Sequence, residues 1–508
     1  MRLLQAIDIG SNSVRSIVVE VPVGGSYRVI DDERAMTRLG RGLERTGGLD
    51  SEAMEQTLSA LQAMTDIGRS LGVTDVRAIA TESLRRASNS QEFLGRLRDQ
   101  IGLDVEVISE AEEGYLVWLS AASLTKDMPF SVTLDIGGGS VEVVQSLTGE
   151  PDSIASLRLG ARVMSERFVT EDPISGPSFK RLKRHVRRSL RDGVNPIEPS
   201  APMIVGSGGT ITSIAAIVGS MGGRRSESLH GAEISRAEVM QLLGTLSHST
   251  AEERASLPGA SPERADIMLA GTLVLAEVLK LFGAKTVIVN GKGIREGIVL
   301  DTLAREGVID PLPDRTSTVH DLGRRYRYDR HHAEQVRMLA CSLFDQLQLT
   351  LGLDTSKRPL LESAATLHDV GYYISYDRHH KHSYHLILHS GLPGFTRRDL
   401  AMIAAIARYH TKALPKRGHI ELASLEPADR VTVRSLAAIL RLADGLDRGR
   451  SGRVTSVEVD DDGTTTLLRV SGAGDLHAEI YGVERKKDLY EEAFGRQIGI
   501  SVRSQETA

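Results

Sequence analysis

The chain has 508 residues, of which 41% are hydrophobic and 25% charged, with a net charge of −5. That balance suits a globular protein of three to four domains and excludes a uniformly basic nucleic-acid binder, so a polyanion would have to be met by a local basic patch. Cys341 is the only cysteine, which excludes an intramolecular disulfide and a cysteine-only zinc site. Asp8 interrupts the apolar start before a secretory signal develops, and no run of about 18 apolar residues could span a membrane. These features read as a cytoplasmic protein with no nucleic-acid partner and no membrane span.

Residues 1–125 alternate short β-rich runs with helical segments, and residues 126–310 repeat the plan, so two α/β domains are expected. "DIGSNSV" (Asp8 to Val14) aligns with "DIGGGSV" (Asp135 to Val141) at an offset of 127 residues, about one domain length, which points to a duplication. Within the second of these domains, "KRLKRHVRRSLR" (Lys180 to Arg191) forms an amphipathic helix with Leu182, Val186 and Leu190 inward. Its basic face is either merely solvated or a track for polyphosphate. "GVIDPLPDRTST" (Gly307 to Thr318) reads as a linker. Residues 311–450 have the pattern of an all-α domain. Residues 451–508 read as a small α/β domain whose hairpin turns at Asp462-Gly463.

Each repeat ends an apolar strand on an aspartate, turns on Gly, Ser or Asn, and resumes as a strand. Gly137, Gly138 and Gly139 permit positive φ and a converging nest of backbone N–H groups, while Ser11, Asn12, Ser13 and Ser140 add side-chain donors. Asp8 and Asp135 cannot bind phosphate but suit a divalent cation held between carboxylate and phosphate. A third glycine-rich strand end, "VGSGGT", supplies Gly208 and Gly209. Neither Walker nor dinucleotide fingerprints fit, because those need a helix straight after the glycines. Two such domains facing across a phosphate cleft is the actin-like arrangement.

"DIGSNSVR", "ATESLRRASN", "ISEAEEGYL", "LDIGGGSVEVV", "VGSGGT" and "GKGIREGI" together resemble, in order, the motifs of the exopolyphosphatase and guanosine pentaphosphate phosphohydrolase family. The resemblance implies two duplicated actin-like (ribonuclease H-like) α/β domains, then an all-α HD-like domain and a small α/β C-terminal domain. It implies hydrolysis of the terminal phosphate of a phosphoanhydride chain, with Glu113 as the base for the attacking water. Asp135 and Glu142, faced by Asp8, would hold Mg²⁺; Arg85, helped by Asn89, would meet the terminal phosphates. Expected substrates are inorganic polyphosphate or guanosine pentaphosphate (pppGpp), and the resemblance implies a homodimer. Two further readings stay open: an actin-like sugar kinase, and an alarmone sensor that binds nucleotide without turnover.

Eleven of the fifteen histidines lie between His320 and His419. His332, His368 and His410, like Asp444, share the apolar stripes of their segments and should point inward. The ordered set His332, His368-Asp369, Asp444 resembles the signature of HD-superfamily phosphohydrolases, with His382 and His410 as added ligands of two-metal members. Burying two carboxylates and several imidazoles without a counter-ion would cost several kcal/mol, which a divalent Mn, Fe, Ni or Zn ion would relieve. His379, His380, His385 and His389 are read as surface or substrate-facing.

Overall fold

The computed structural model describes residues 2–21, 27–125, 128, 130–147, 149–198, 203–223, 229–309, 315–392, 394–416, 418–423 and 425–502. The chain divides into two compact units, Met1–Pro313 and Asp314–Ala508. The middle of the expected linker, residues 310–314, lies outside the described residues.

The first unit holds two sheets. Strands β1 (Arg2–Ile9), β2 (Val14–Val21), β3 (Arg28–Ala35), β4 (Asp75–Ala80) and β5 (Val105–Val107) form the first, in the order β3-β2-β1-β4-β5. Strands β6 (Phe130–Ile136), β7 (Val141–Leu147), β8 (Glu150–Leu157), β9 (Met203–Ser207), β10 (Glu233–Ser235) and β11 (Thr286–Val289) form the second, in the order β10-β11-β9-β6-β7-β8. In both, three antiparallel strands are followed by a parallel neighbour of the first: β4 beside β1, β9 beside β6. The duplication expected from the repeat is therefore a duplication of topology. Both turns also close with the same backbone hydrogen bond, Gly10 N–H to Ser13 O at 3.2 Å and Gly137 N–H to Ser140 O at 3.1 Å.

Strand β1 shows why these segments read as nearly continuous apolar runs. Ile7 and Ile9 enter the core beneath the helices Ser51–Leu71 and Ser90–Ile101. Leu4 and Ala6 face the helices Glu110–Thr125 and Ile294–Arg305 on the other side. With both faces covered, alternation of polar and apolar residues disappears. The helix Ile294–Arg305 was expected in the second domain, yet its Ile298, Val299 and Leu303 join the core of the first sheet. In the second sheet, Leu182, Val186 and Leu190 of the helix Gly176–Gly193 are buried against it, as the spacing predicts. Its basic face is partly engaged: Glu277 pairs with Arg187 at 2.5 Å and with Lys183 at 3.8 Å.

In the second unit the helices Arg330–Leu347, Arg358–Leu367, His379–Leu388, Arg397–Arg408 and Pro427–Gly445 build one core. The hairpin β12 (Val454–Asp461) and β13 (Thr465–Gly472) turns at Asp462-Gly463, where Asp462 Oδ1 accepts from Thr464 N–H and Thr465 N–H and Gly463 takes φ 89°. Strand β14 (Gln497–Val502) joins β13 in parallel. Residues 451–508 were expected as a domain of their own. Instead Val454, Val457, Leu468 and Val470 share a core with Leu339 and Leu436, so the small sheet is a flank of the helical unit. No described helix is long and apolar enough to cross a membrane.

The helices Glu110–Thr125 and Ile294–Arg305 approach so closely that a Cβ on Gly297 would collide with Leu116 O. Gly297→Ala should force them apart and cost about 1–3 kcal/mol, lowering the urea midpoint of unfolding with an unchanged slope.

Candidate active site

Between the two repeated hairpins lies a cavity of about 100 Å³, lined by Asp8, Ser11, Asn12, Ser13, Gly137, Gly138, Gly139, Ser140, Asp135, Glu142, Gly208, Gly209 and Glu113. That volume admits several waters or a phosphoryl group with part of its solvent. Every residue expected to bind phosphate or Mg²⁺ in this unit lines it except Arg85 and its expected helper Asn89.

The hairpins meet because side chains are missing. A Cβ on Gly139 would strike Glu82 Oε2 and Ser11 Oγ, and one on Gly138 would stand 2.9 Å from Asn12 Cβ. Gly137, Gly138 and Gly139 do not adopt the positive φ expected of them; among the lining glycines only Gly208 does, at 89°. Their service is close approach, not left-handed turning. Gly208 also opens the helix Gly208–Met221, whose N-terminus has no side-chain cap and faces the cavity, a favourable setting for an anion. Ser11 Oγ donates to Glu82 Oε2 at 2.9 Å, so its hydroxyl is already engaged.

Register places the acids. Glu142 is paired directly with Asp135 across the β6–β7 ladder, which is how seven residues of sequence become neighbours in space. At the equivalent place in the first repeat Asp8 is paired with Arg15, an opposite charge at the duplicated position. Desolvation raises the carboxyls of Asp8 and Asp135 to about 6 each, partly opposed by the Arg15 guanidinium. Burial, with Glu113 and Asp135 close by, holds Glu142 well above the usual range.

Glu112 and Glu113, adjacent in sequence, have separate tasks. Glu112 closes a reciprocal cap with Ser109, accepting from its N–H at 2.8 Å, and the hydrogen bonds keep its carboxyl low. Glu113 turns inward, where burial raises its carboxyl to about 7 although the Arg85 guanidinium lies 2.8 Å away. A carboxylate titrating there is matched to general-base work near neutrality.

Arg85 thus meets Glu113, and also donates to Ile108 O at 2.9 Å, instead of lining the cavity. Asn89 bonds the backbone of Leu49 in both directions and closes a surface loop. The arginines that do line the cavity are Arg15, Arg264 and Arg295. Arg15 and Arg295 stand inside quoted motifs and could have been found there. Arg264 follows no motif; Gly209 makes room for its guanidinium, and burial lowers it to about 9.

A model of the Ppx/GppA phosphatase family matches residues 17–306, and one of Ppx/GppA phosphatase domain III matches residues 315–477. The chain belongs to the Ppx/GppA phosphatase family. It is a phosphoanhydride hydrolase. The crystal structure of the Aquifex aeolicus member of this family is 30% identical, with a TM-score of 0.53, over 60% of this chain and 98% of that one. A second Aquifex aeolicus structure is 31% identical, with a TM-score of 0.51, over 59% and 98%. An exopolyphosphatase from Cytophaga hutchinsonii, 24% identical with a TM-score of 0.56 over 61% and 100%, shares the fold.

Family domain III contains the second histidine constellation. The structure brings His332, His368, Asp369, His410 and Asp444 together, as the HD resemblance implies. His382 is not among them: within the described residues it joins neither metal-compatible group. His379, read as surface or substrate-facing, takes that place from the first residue of the helix His379–Leu388. His382 lies three residues on, about 4.5 Å further up the axis. Asp447, which sequence reasoning missed, is fully buried and bonds His332 Nδ1 at 2.8 Å.

Asp135 ionises at a cost in the folded chain. Its raised carboxyl carries no penalty below about pH 4, a growing one to about pH 6, and the full one above. In chelator, Asp135→Asn should therefore melt close to wild type at pH 4 and above it at pH 8. Mg²⁺ should raise the wild-type melting temperature more at pH 8 than at pH 5.

Proposed function

We propose that the chain is a Mg²⁺-dependent exopolyphosphatase, removing terminal phosphate processively from inorganic polyphosphate by direct attack of water. The observation that carries this reading is the composition of the cavity wall. Two glycine hairpins, an uncapped helix N-terminus and three arginines face one base, and the described lining residues include no aromatic ring on which a nucleobase could stack. Guanosine pentaphosphate presents the same terminal anhydride and is the alternative substrate.

Glu113 takes a proton from water as its oxygen attacks the terminal phosphorus. The bridging P–O bond breaks, and the shortened chain leaves as a phosphate anion needing no separate acid. Arg85 holds Glu113 in position through their ion pair. The cavity arginines and the backbone N–H groups at Gly208 and Gly209 balance charge on the phosphoryl oxygens.

Asp8, Asp135 and Glu142 suit Mg²⁺ in one manner. Among the described residues their oxygens do not form a ready-made ligand triad, whereas the histidine groups do. Mg²⁺ keeps much of its water and needs only one or two carboxylates alongside phosphate. When bound, it would neutralise charge on the phosphoryl oxygens.

Steady-state kinetics on long polyphosphate and on pppGpp, without any acceptor, test the reading. The expected result is the higher kcat/KM on polyphosphate. A ratio favouring the nucleotide, or phosphate transfer only when an acceptor is added, contradicts it. Arg264→Ala should raise KM for polyphosphate and flatten its salt dependence less than loss of an exposed lysine would, since its buried charge is poorly screened.

A further inference from the structure

One buried carboxylate beside the cavity of the first unit has no part in the mechanism above. Glu82, 4% exposed, opens the helix Glu82–Arg86, directly after Thr81 of the cavity wall. Both its oxygens are taken. Oε1 accepts from Arg86 Nη1 at 2.6 Å, and Oε2 accepts from the Ser11 hydroxyl at 2.9 Å. A Cβ on Gly139 would lie 2.1 Å from the same Oε2. The carboxylate therefore rests against both hairpins, on the seam where they meet. A carboxylate can only accept, so Ser11 donates to it and shows the cavity lone pairs in place of a proton.

From Glu82 the contacts continue outward as a row of alternating charge. Arg86 Nη1 also donates to Glu44 Oε1 at 2.5 Å. Arg158 Nη2 donates to that oxygen at 2.6 Å and reaches Glu44 Oε2 as well. Glu44 follows β3 of the first sheet and Arg158 follows β8 of the second, so the row crosses from one repeat to the other. Backbone ties both sides of the crossing to the hairpins. Gly40 N–H, just before the helix Leu43–Thr46, donates to Ser11 O at 2.8 Å. Gly160 N–H, just after Arg158, donates to Gly139 O at 3.0 Å, and a Cβ on Gly160 would collide with the backbone of Gly138 and Gly139. The contacts close a ring through Ser11, Glu82, Arg86, Glu44, Arg158, Gly160 and Gly139.

Isolated ion pairs at a surface contribute little to stability. This row differs in its inner end, because a buried carboxylate deprived of its partners is costly. Burial opposes ionisation of Glu44, yet the hydrogen bonds from Arg86 and Arg158 keep its carboxyl below the usual range.

We propose that Glu82 and Glu44 are positioning residues, which through Arg86 and Arg158 hold the two phosphate hairpins in contact and turn the Ser11 proton away from the substrate. They act on rate because a phosphoryl group in the cavity is met by both hairpins at once, and a small misplacement of one undoes the alignment. The outer members, Glu44, Arg86 and Arg158, are partly exposed and within reach of salt, whereas Glu82 is not. The ring serves any terminal phosphoanhydride, whether polyphosphate or pppGpp.

The test uses the full-length chain with Mg²⁺, measuring kcat and KM on long polyphosphate and on pppGpp, with urea unfolding alongside. Glu44→Gln and Arg158→Gln should each lower kcat about 3–20-fold on the better substrate, with KM within about twofold and little change in the urea midpoint. The two residues share one pair, so the double variant should be no slower than Glu44→Gln alone. Arg158→Lys should keep most of the wild-type kcat, since Nη2 alone makes the contacts. Glu82→Gln, of the same shape, should be slower than Glu44→Gln because it also releases Ser11. The ratio of wild-type to Glu44→Gln kcat at saturating substrate should shrink as salt rises. Wild-type kcat in Glu44→Gln, with or without a lowered urea midpoint, would overturn the proposal. So would losses that multiply in the double variant, or a ratio that salt leaves unchanged.

Discussion

The first unit depends on one constraint: two carboxylate-bearing hairpins must touch without side chains between them. Gly138 and Gly139 remove the obstacle, Ser11 and Asn12 fill the space, and Asp8 and Asp135 are left facing a small cavity. The raised carboxyls follow from that crowding, because every charge there is ionised against a desolvation cost. The same environment puts Glu113 near neutrality.

Duplication explains why the two hairpins are not equivalent. The turn geometry and strand pairing were kept, but the residue seven positions on became Arg15 in one copy and Glu142 in the other. One hairpin then contributes a carboxylate balanced by a guanidinium, and the other a pair of carboxylates.

Much of this was legible in the sequence because it depends on local pattern. The repeat, the glycine loops, the inward Leu182, Val186 and Leu190, and the inward His332, His368 and Asp444 follow from spacing along single elements, and the resemblance grouped those last three with Asp369. What escaped depends on which elements meet. The helix Ile294–Arg305 returns to the first sheet after two hundred residues, Arg264 enters from a segment without a motif, and the β12–β14 sheet joins the helical core. His379 and His382 share one helix and one residue type; the packing of that helix start on Gly371 puts His379 inside a metal-compatible group that lacks His382. Arg85 shows a third kind of limit, since a motif names the residue but not whether it meets substrate or base.

Placing the chemistry at Glu113 is the central claim, and single-turnover phosphate release from terminally labelled polyphosphate, with binding measured separately, tests it most directly. Glu113→Gln should bind polyphosphate as wild type does and release phosphate about 10²–10⁴-fold more slowly. Release at the wild-type rate from the bound Glu113→Gln complex would contradict the account.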